Sequence, residues 1–173
     1  MGCYRDFAVC TRDALEYTRQ FMGVEFSDEQ RQTLLAAYST LPAFDDVVAS
    51  LELIRAGGHK MYAFSNGLGA GVDTVITNAG IRDFFDGVVT VDDIGIFKPS
   101  PKTYEHFMSS TGSDASTAWL VSSNGFDVIG AVSVGMRAAW IQRSKAVVFD
   151  PWDEFEPTVV LDTLAKLPDS IAG

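Results

Sequence analysis

The sequence predicts an α/β fold built on a parallel sheet, and three observations carry that expectation. After the first forty residues, short apolar runs alternate with helical patterns on a strand–helix–strand rhythm. Those runs are continuously apolar instead of alternating, as in a sheet covered on both faces. Small hydroxyl, amide or charged groups stand where several of the runs end, at the positions that line a ligand crevice in such sheets.

The elements follow in order. Residues 4–22 space Phe7, Ala14, Thr18 and Phe21 as a helix, with charged residues largely elsewhere. Ser27 and Gln30 form a capping-box pair that opens a second helix through Leu34, Leu35 and Tyr38, and Pro42 breaks the pattern. We therefore expect a helical hairpin with no strand over 1–41 and an α/β region over 42–173. Asp45–Arg55 reads as a helix stopped by Gly57-Gly58, and Lys60–Phe64 as a strand. Val72–Ala79 reads as a helix closed by Gly80, followed by a strand over Gly87–Val91. Ser100 caps a helix with Pro101 at its first position and Gly112 past its end. A strand at Ala118–Val121, a helix at Val128–Val134 ended by Gly135 and a strand at Ala138–Ile141 follow, and a last helix is expected over Val159–Leu167.

At 173 residues, 47% of them apolar, the chain can bury a sizeable core. Its formal charge of −10, from 23 acidic and 13 basic residues, argues against nucleic acid or an anionic membrane as partner. No apolar run approaches spanning length and no signal-peptide core follows Met1, so a soluble cytoplasmic protein is expected. Cys3 and Cys10, two helical turns apart, would stand about 10 Å from one another, beyond the roughly 7 Å that a disulfide tolerates. His59 and His106 share no metal-ligand spacing and read as surface residues. Gly67, Gly69 and Gly71 miss the dinucleotide-loop pattern because Val72 stands where its third glycine belongs. The cluster of Asp150, Asp153, Glu154 and Glu156 reads as a solvated loop.

Three runs remain: Phe64-Ser65-Asn66-Gly67, Phe97-Lys98-Pro99 and Val121-Ser122-Ser123-Asn124-Gly125-Phe126-Asp127. Their order and context resemble the haloacid dehalogenase superfamily over essentially the whole chain. The Ser-Ser-Asn run resembles the 2-haloacid dehalogenase type II branch, and the segments Met1–Phe7 and Thr11–Leu15 resemble the middle of that family's helical cap. The fold implied is a Rossmannoid parallel sheet with a partial helical cap. The activity implied is displacement of halide from a 2-haloalkanoate by an aspartate, with hydrolysis of the resulting ester to a 2-hydroxyalkanoate. By this resemblance Ser65 binds the substrate carboxylate, Asn66 helps cradle the halide and Lys98 stabilises the anions. Ser122 and Asn124 orient the nucleophile, and Asp127 holds Lys98 or assists the water. Phe126 and Phe7 wall the carbon–halogen bond. No cofactor and no metal are expected, since Ser122, Ser123 and Asn124 stand where the Mg²⁺-dependent phosphatases of the superfamily carry carboxylates.

The family's nucleophile lies on a first strand in an Asp-x-Tyr-Gly-Thr-like run that this sequence lacks. The expectation is an N-terminally truncated copy, inactive as written, with unpaired backbone on the strands that would flank the lost one. Asp6, Asp13, Asp92 and Asp93 are not promoted to the role. The partner expected is a small 2-haloalkanoate, with a homodimer as a further expectation. The competing readings are a Mg²⁺-dependent phosphatase and a non-catalytic fragment that oligomerises through open sheet edges.

Overall fold

A computed structural model describes residues 3–172. Met1 and Gly2, the start of the cap-like run, lie outside the described residues. The chain forms two compact units: Met1–Ala43 with Tyr62–Gly95, and Phe44–Met61 with Ile96–Gly173.

The first unit opens with helix α1 (Phe7–Met22), started by Asp6, whose carboxylate accepts the Val9 amide, and ended by Gly23 in the left-handed conformation. Helix α2 (Asp28–Ala37) begins with the full reciprocal capping box of Ser27 and Gln30. Neither helix has a fully buried residue. Strand β1 (Tyr62–Ser65), helix α4 (Gly69–Asn78) and strand β2 (Gly87–Thr90) form a parallel βαβ unit with Ser65 opposite Thr90. The Asn78 side-chain amide donates to the Ser39 carbonyl at 2.7 Å and so ties α4 to the turn after α2.

The second unit contains helix α3 (Val47–Ala56), helix α5 (Pro101–Thr111), strand β3 (Trp119–Ser122), helix α6 (Gly125–Ser133) and strand β4 (Arg137–Ile141). Strand β5 (Val159–Leu161) and helix α7 (Leu167–Ile171) complete it. Its sheet is parallel with order β3-β4-β5, and Ser122 lies opposite Trp140. Helix α6 contributes five consecutive buried residues, Asp127–Ala131, and β4 is buried from Ala138 to Ile141.

Asp46 clasps this unit together. Its carboxylate accepts both terminal nitrogens of Arg143 at 2.9 Å, the Thr163 hydroxyl and the Leu164 amide. Four donors and the guanidinium charge hold its carboxyl far below the usual carboxylate range.

Most expected boundaries appear within a turn. Pro101 opens α5 and Gly112 ends it at φ 66. Ser100 occupies the cap position, but its side chain makes no cap bond there. One element differs in kind: Val159–Leu161 is a strand and the last helix begins only at Leu167. The apolar spacing from Val159 to Leu167 suits a helix, but Val159 and Val160 favour extended backbone, and β4 offers them a parallel ladder. His106 is half-buried on α5 and not a surface residue. Cys3 and Cys10 are both free thiols. No helix among the described residues is long and apolar enough to cross a membrane.

Candidate active site

In the second unit the loop ahead of α5 brings Lys98 to the first turn of α6. Lys98 Nζ lies 3.0 Å from Asp127 Oδ2, with only 7% and 6% of the two side chains exposed. The Lys98–Pro99 peptide is cis. The other carboxylate oxygen, Oδ1, lies 3.0 Å from the Tyr104 hydroxyl, which is also 2.9 Å from the Asp127 carbonyl. Tyr104, wholly buried on α5, therefore shares one proton between two acceptors. Burial, reinforced by the negative charge of Asp127, pushes its phenol well above the ordinary value and keeps it a donor.

A buried ion pair of this kind is seldom a net source of stability. Desolvating two charges costs about what their attraction returns, whereas losing one partner costs about 3–5 kcal/mol. The arrangement thus points to a charge held in place for chemistry. It also explains Gly130, one turn on from Asp127: a Cβ there would run into the Tyr104 ring and hydroxyl.

The exit of β3 is built from neutral groups. Ser122 Oγ accepts the Asn124 amide at 3.1 Å, and the Ser123 carbonyl accepts the Trp140 indole N–H at 3.1 Å. Trp140 itself is 4% exposed and meets Phe149 edge-on at 5.0 Å. Asn124 stands at the N-cap of α6, where its side chain makes no cap bond. Phe126, on the same turn, is 41% exposed.

The remaining candidates lie in the first unit. Ser65 ends β1, and its hydroxyl accepts the Gly67 amide at 3.0 Å. Ser65 and Phe7 line one cavity of about 830 Å³ together with Leu35, Leu68, Val72 and Ile76. Asn66 is half-buried beside Ser65 and is not part of that wall. Two aspartates of this unit have structural partners: Asp6 caps α1, and Asp92 accepts the Tyr4 hydroxyl at 2.8 Å. Burial and that bond push the Tyr4 phenol up to about 12.

Two features escaped the sequence. Tyr104 looks like any core aromatic at helical spacing, and the one hint was a small residue, Gly130, three positions after Asp127. The cavity has no signature at all, since its wall combines α1, α2, the end of β1 and α4. Among the described residues no three His, Cys, Asp or Glu side chains cluster as a metal site. Asp150, Asp153, Glu154 and Glu156 are exposed.

Just past the carboxyl end of β3, where ligand crevices form in parallel sheets, the fold thus brings together a buried lysine–carboxylate pair and a turn of hydroxyl and amide groups. The family model for haloacid dehalogenase-like hydrolases matches residues 10–135, and the chain belongs to that family. It is 36% identical over 144 residues to an (S)-2-haloacid dehalogenase of Pseudomonas sp. (strain YL), covering 83% of this chain and 62% of that protein. It is 32% identical over 167 residues to the enzyme of the same name from Pseudomonas fluorescens, covering 96% of this chain and 73% of that one. The L-2-haloacid dehalogenase of Xanthobacter autotrophicus, solved with chloropropionic acid covalently bound, is 30% identical. It superposes with a TM-score of 0.85 over 98% of this chain and 77% of that chain. The chain thus spans 62% of the Pseudomonas sp. (strain YL) relative's length and about three quarters of the other two.

Proposed function

We propose that these residues form the supporting part of an (S)-2-haloacid dehalogenase site, carried above all by the buried Lys98–Asp127–Tyr104 network beside the neutral Ser122–Asn124 turn. In the reaction a carboxylate oxygen attacks the α-carbon of a 2-haloalkanoate. The carbon–oxygen bond forms as the carbon–halogen bond breaks, and halide leaves with the electron pair. Water then adds to the ester carbonyl, its proton passes to a base, and a 2-hydroxyalkanoate departs as the carboxylate is restored. The covalently bound chloropropionic acid of the Xanthobacter relative supports this ester route.

Lys98 supplies positive charge to the anions, and Asp127 orients it and stands ready to take the proton of the water. Ser122 and Asn124 offer hydrogen bonds to the attacking carboxylate. Ser65 holds the substrate carboxylate, Asn66 receives the halide, and Phe7 and Phe126 exclude water from the carbon–halogen bond. The attacking aspartate is none of the residues placed here, so the 173-residue chain by itself is inactive. In this reading residues 1–41 are the cap and 42–173 the core.

The Mg²⁺-dependent phosphatase reading fits the donors poorly. Hard cations want carboxylate oxygens, the turn after β3 offers neutral groups, and Asp127 has both oxygens engaged. The deciding experiment supplies the chain with an added strand bearing the family's aspartate, in cis or in trans. We expect chloride release from 2-chloropropionate that ignores a chelator and is abolished by Lys98→Ala. The 173 residues alone should release none. Chelator-sensitive phosphate release from p-nitrophenyl phosphate, without chloride release, would overturn the reading.

A further inference from the structure

The cavity beside Ser65 belongs wholly to the first unit and is far larger than a three-carbon acid needs. Its volume is about 830 Å³. At the roughly 30 Å³ that one water takes in the liquid, the six heavy atoms of 2-chloropropionate need only about 180 Å³. The wall shows what the remainder suits. Leu68, Val72, Val75 and Ile76 line the cavity at positions i, i+4, i+7 and i+8, a single apolar stripe along α4 from its N-cap. Phe7 of α1 and Leu35 of α2 belong to the same wall. Ile76 is buried, and Leu35, Leu68, Val72 and Val75 are half-buried, so the stripe keeps apolar surface for an apolar ligand to cover.

We propose that this cavity receives the alkyl tail of the substrate, so that the site prefers medium-chain 2-haloalkanoates to 2-chloropropionate. The proposal rests on the dehalogenase reading for the carboxylate end and adds the tail. The stripe begins beside the group assigned to that carboxylate. A Cβ on Gly67 would lie 3.2 Å from Val72 Cγ2 and 3.3 Å from Ser65 Oγ, so glycine there leaves the hydroxyl and the first part of the stripe side by side. The charges in the wall admit an anion: Asp6 is tied to the Val9 amide at the α1 cap, and Arg12 is a cation. The length of the stripe sets the length of the tail. From Leu68 to Ile76 the helical rise covers about 12 Å. An extended chain advances about 1.2 Å per bond, so the stripe matches an acid of about eight to ten carbons.

The test has a binding arm and a turnover arm. Calorimetric titration of the 173-residue chain compares (S)-2-chlorooctanoate with (S)-2-chloropropionate, the longer acid kept below its micelle concentration. Each added methylene should tighten binding about fourfold, the equivalent of about 0.8 kcal/mol per buried methylene. Over the tail of the octanoate a preference of at least about a hundredfold is expected. Val75→Phe, which fills the middle of the stripe, should cut that preference about tenfold, and the milder Val75→Met should cut it in the same direction. In the chain supplied with the family's strand, the KM for chloride release should fall from 2-chloropropionate to 2-chlorooctanoate and level off beyond about ten carbons. Equal binding of the two acids overturns the tail pocket. A KM that ignores tail length while chloride is released also overturns it, assigns the cavity to the added segment, and leaves the dehalogenase reading standing. Tight octanoate binding with chloride released from neither acid does the reverse, keeping the pocket and overturning that reading.

Discussion

The two units use opposite means of holding shape. In the second, α6 buries five consecutive residues, β4 four, and a carboxylate and an ammonium are sealed inside. In the first, α1 and α2 bury none and are held by caps, a side-chain amide and surface ion pairs. Order in the first unit therefore rests on local signals, and order in the second on packing. The consequence is functional. A fixed charge at Lys98 needs a rigid, dry setting, whereas a cavity of about 830 Å³ between exposed helices suits a surface that receives another molecule.

Breaking the second unit should cost most. Lys98→Ala leaves Asp127 buried with its main counter-charge gone, and a loss of about 3–5 kcal/mol is expected in urea unfolding. The double variant Lys98→Met/Asp127→Leu should recover most of that loss, because the main-chain carbonyl at position 127 still accepts the Tyr104 hydroxyl. If the double variant is as unstable as the single one, the charge pair is itself a source of stability and not a charge held in place for chemistry.

Gly130→Ala drives a methyl into Tyr104, a buried ring with no room to turn. We expect a loss of about 1–3 kcal/mol, read as a lower thermal midpoint with near-ultraviolet circular dichroism changed at the tyrosine band. An unchanged midpoint would show that α5 and α6 can part, contrary to the close approach of Gly130 to Tyr104.

The Asp46 clasp sets a pH dependence. Its folded carboxyl lies below its unfolded value of about 4. Its contribution is therefore complete above that pH and is lost as pH falls toward the folded value. Asp46→Asn should lower stability at pH 7 by about 1–3 kcal/mol, since the lost bonds are charge-assisted, and should flatten the fall in stability below about pH 4. Unfolding midpoints measured from pH 2 to 7 check both. A variant with the wild-type slope would assign the acid sensitivity to other carboxylates.

The smallest effect belongs to the first unit. Leu34, 43% exposed on α2, should lose under about 1 kcal/mol as Leu34→Ala. A loss several times larger would mean that α2 is packed in solution against something beyond its own unit.

Much of this was readable from sequence where the signal is short-range. The capping box at Ser27, the proline that opens α5 and the glycines that end helices act within a turn of themselves, so their neighbours in sequence suffice. The runs at Ser65 and Ser122 are legible for a related reason, since a strand that stops being apolar must be leaving the core, whereas Lys98 lies beyond the 3-10 turn that follows β2. Val159–Leu161 is not legible as a strand because three residues hold too little periodicity, and their state is decided by β4, eighteen or more positions earlier. Tyr104 is not legible in the sequence because its partner, Asp127, lies 23 positions away.

The sequence by itself determined the order of the elements, their caps, and which side chains stand at strand ends. Those are consequences of backbone preference and of apolar periodicity. Only the tertiary structure decided that Asp127 has one oxygen on Lys98 and the other on Tyr104, that Gly130 makes room for that ring, and that Tyr17 and Phe21 of α1 stay exposed. Each depends on residues distant in sequence meeting at bonding distance, and the energy of such a meeting comes from burial, which no local pattern measures.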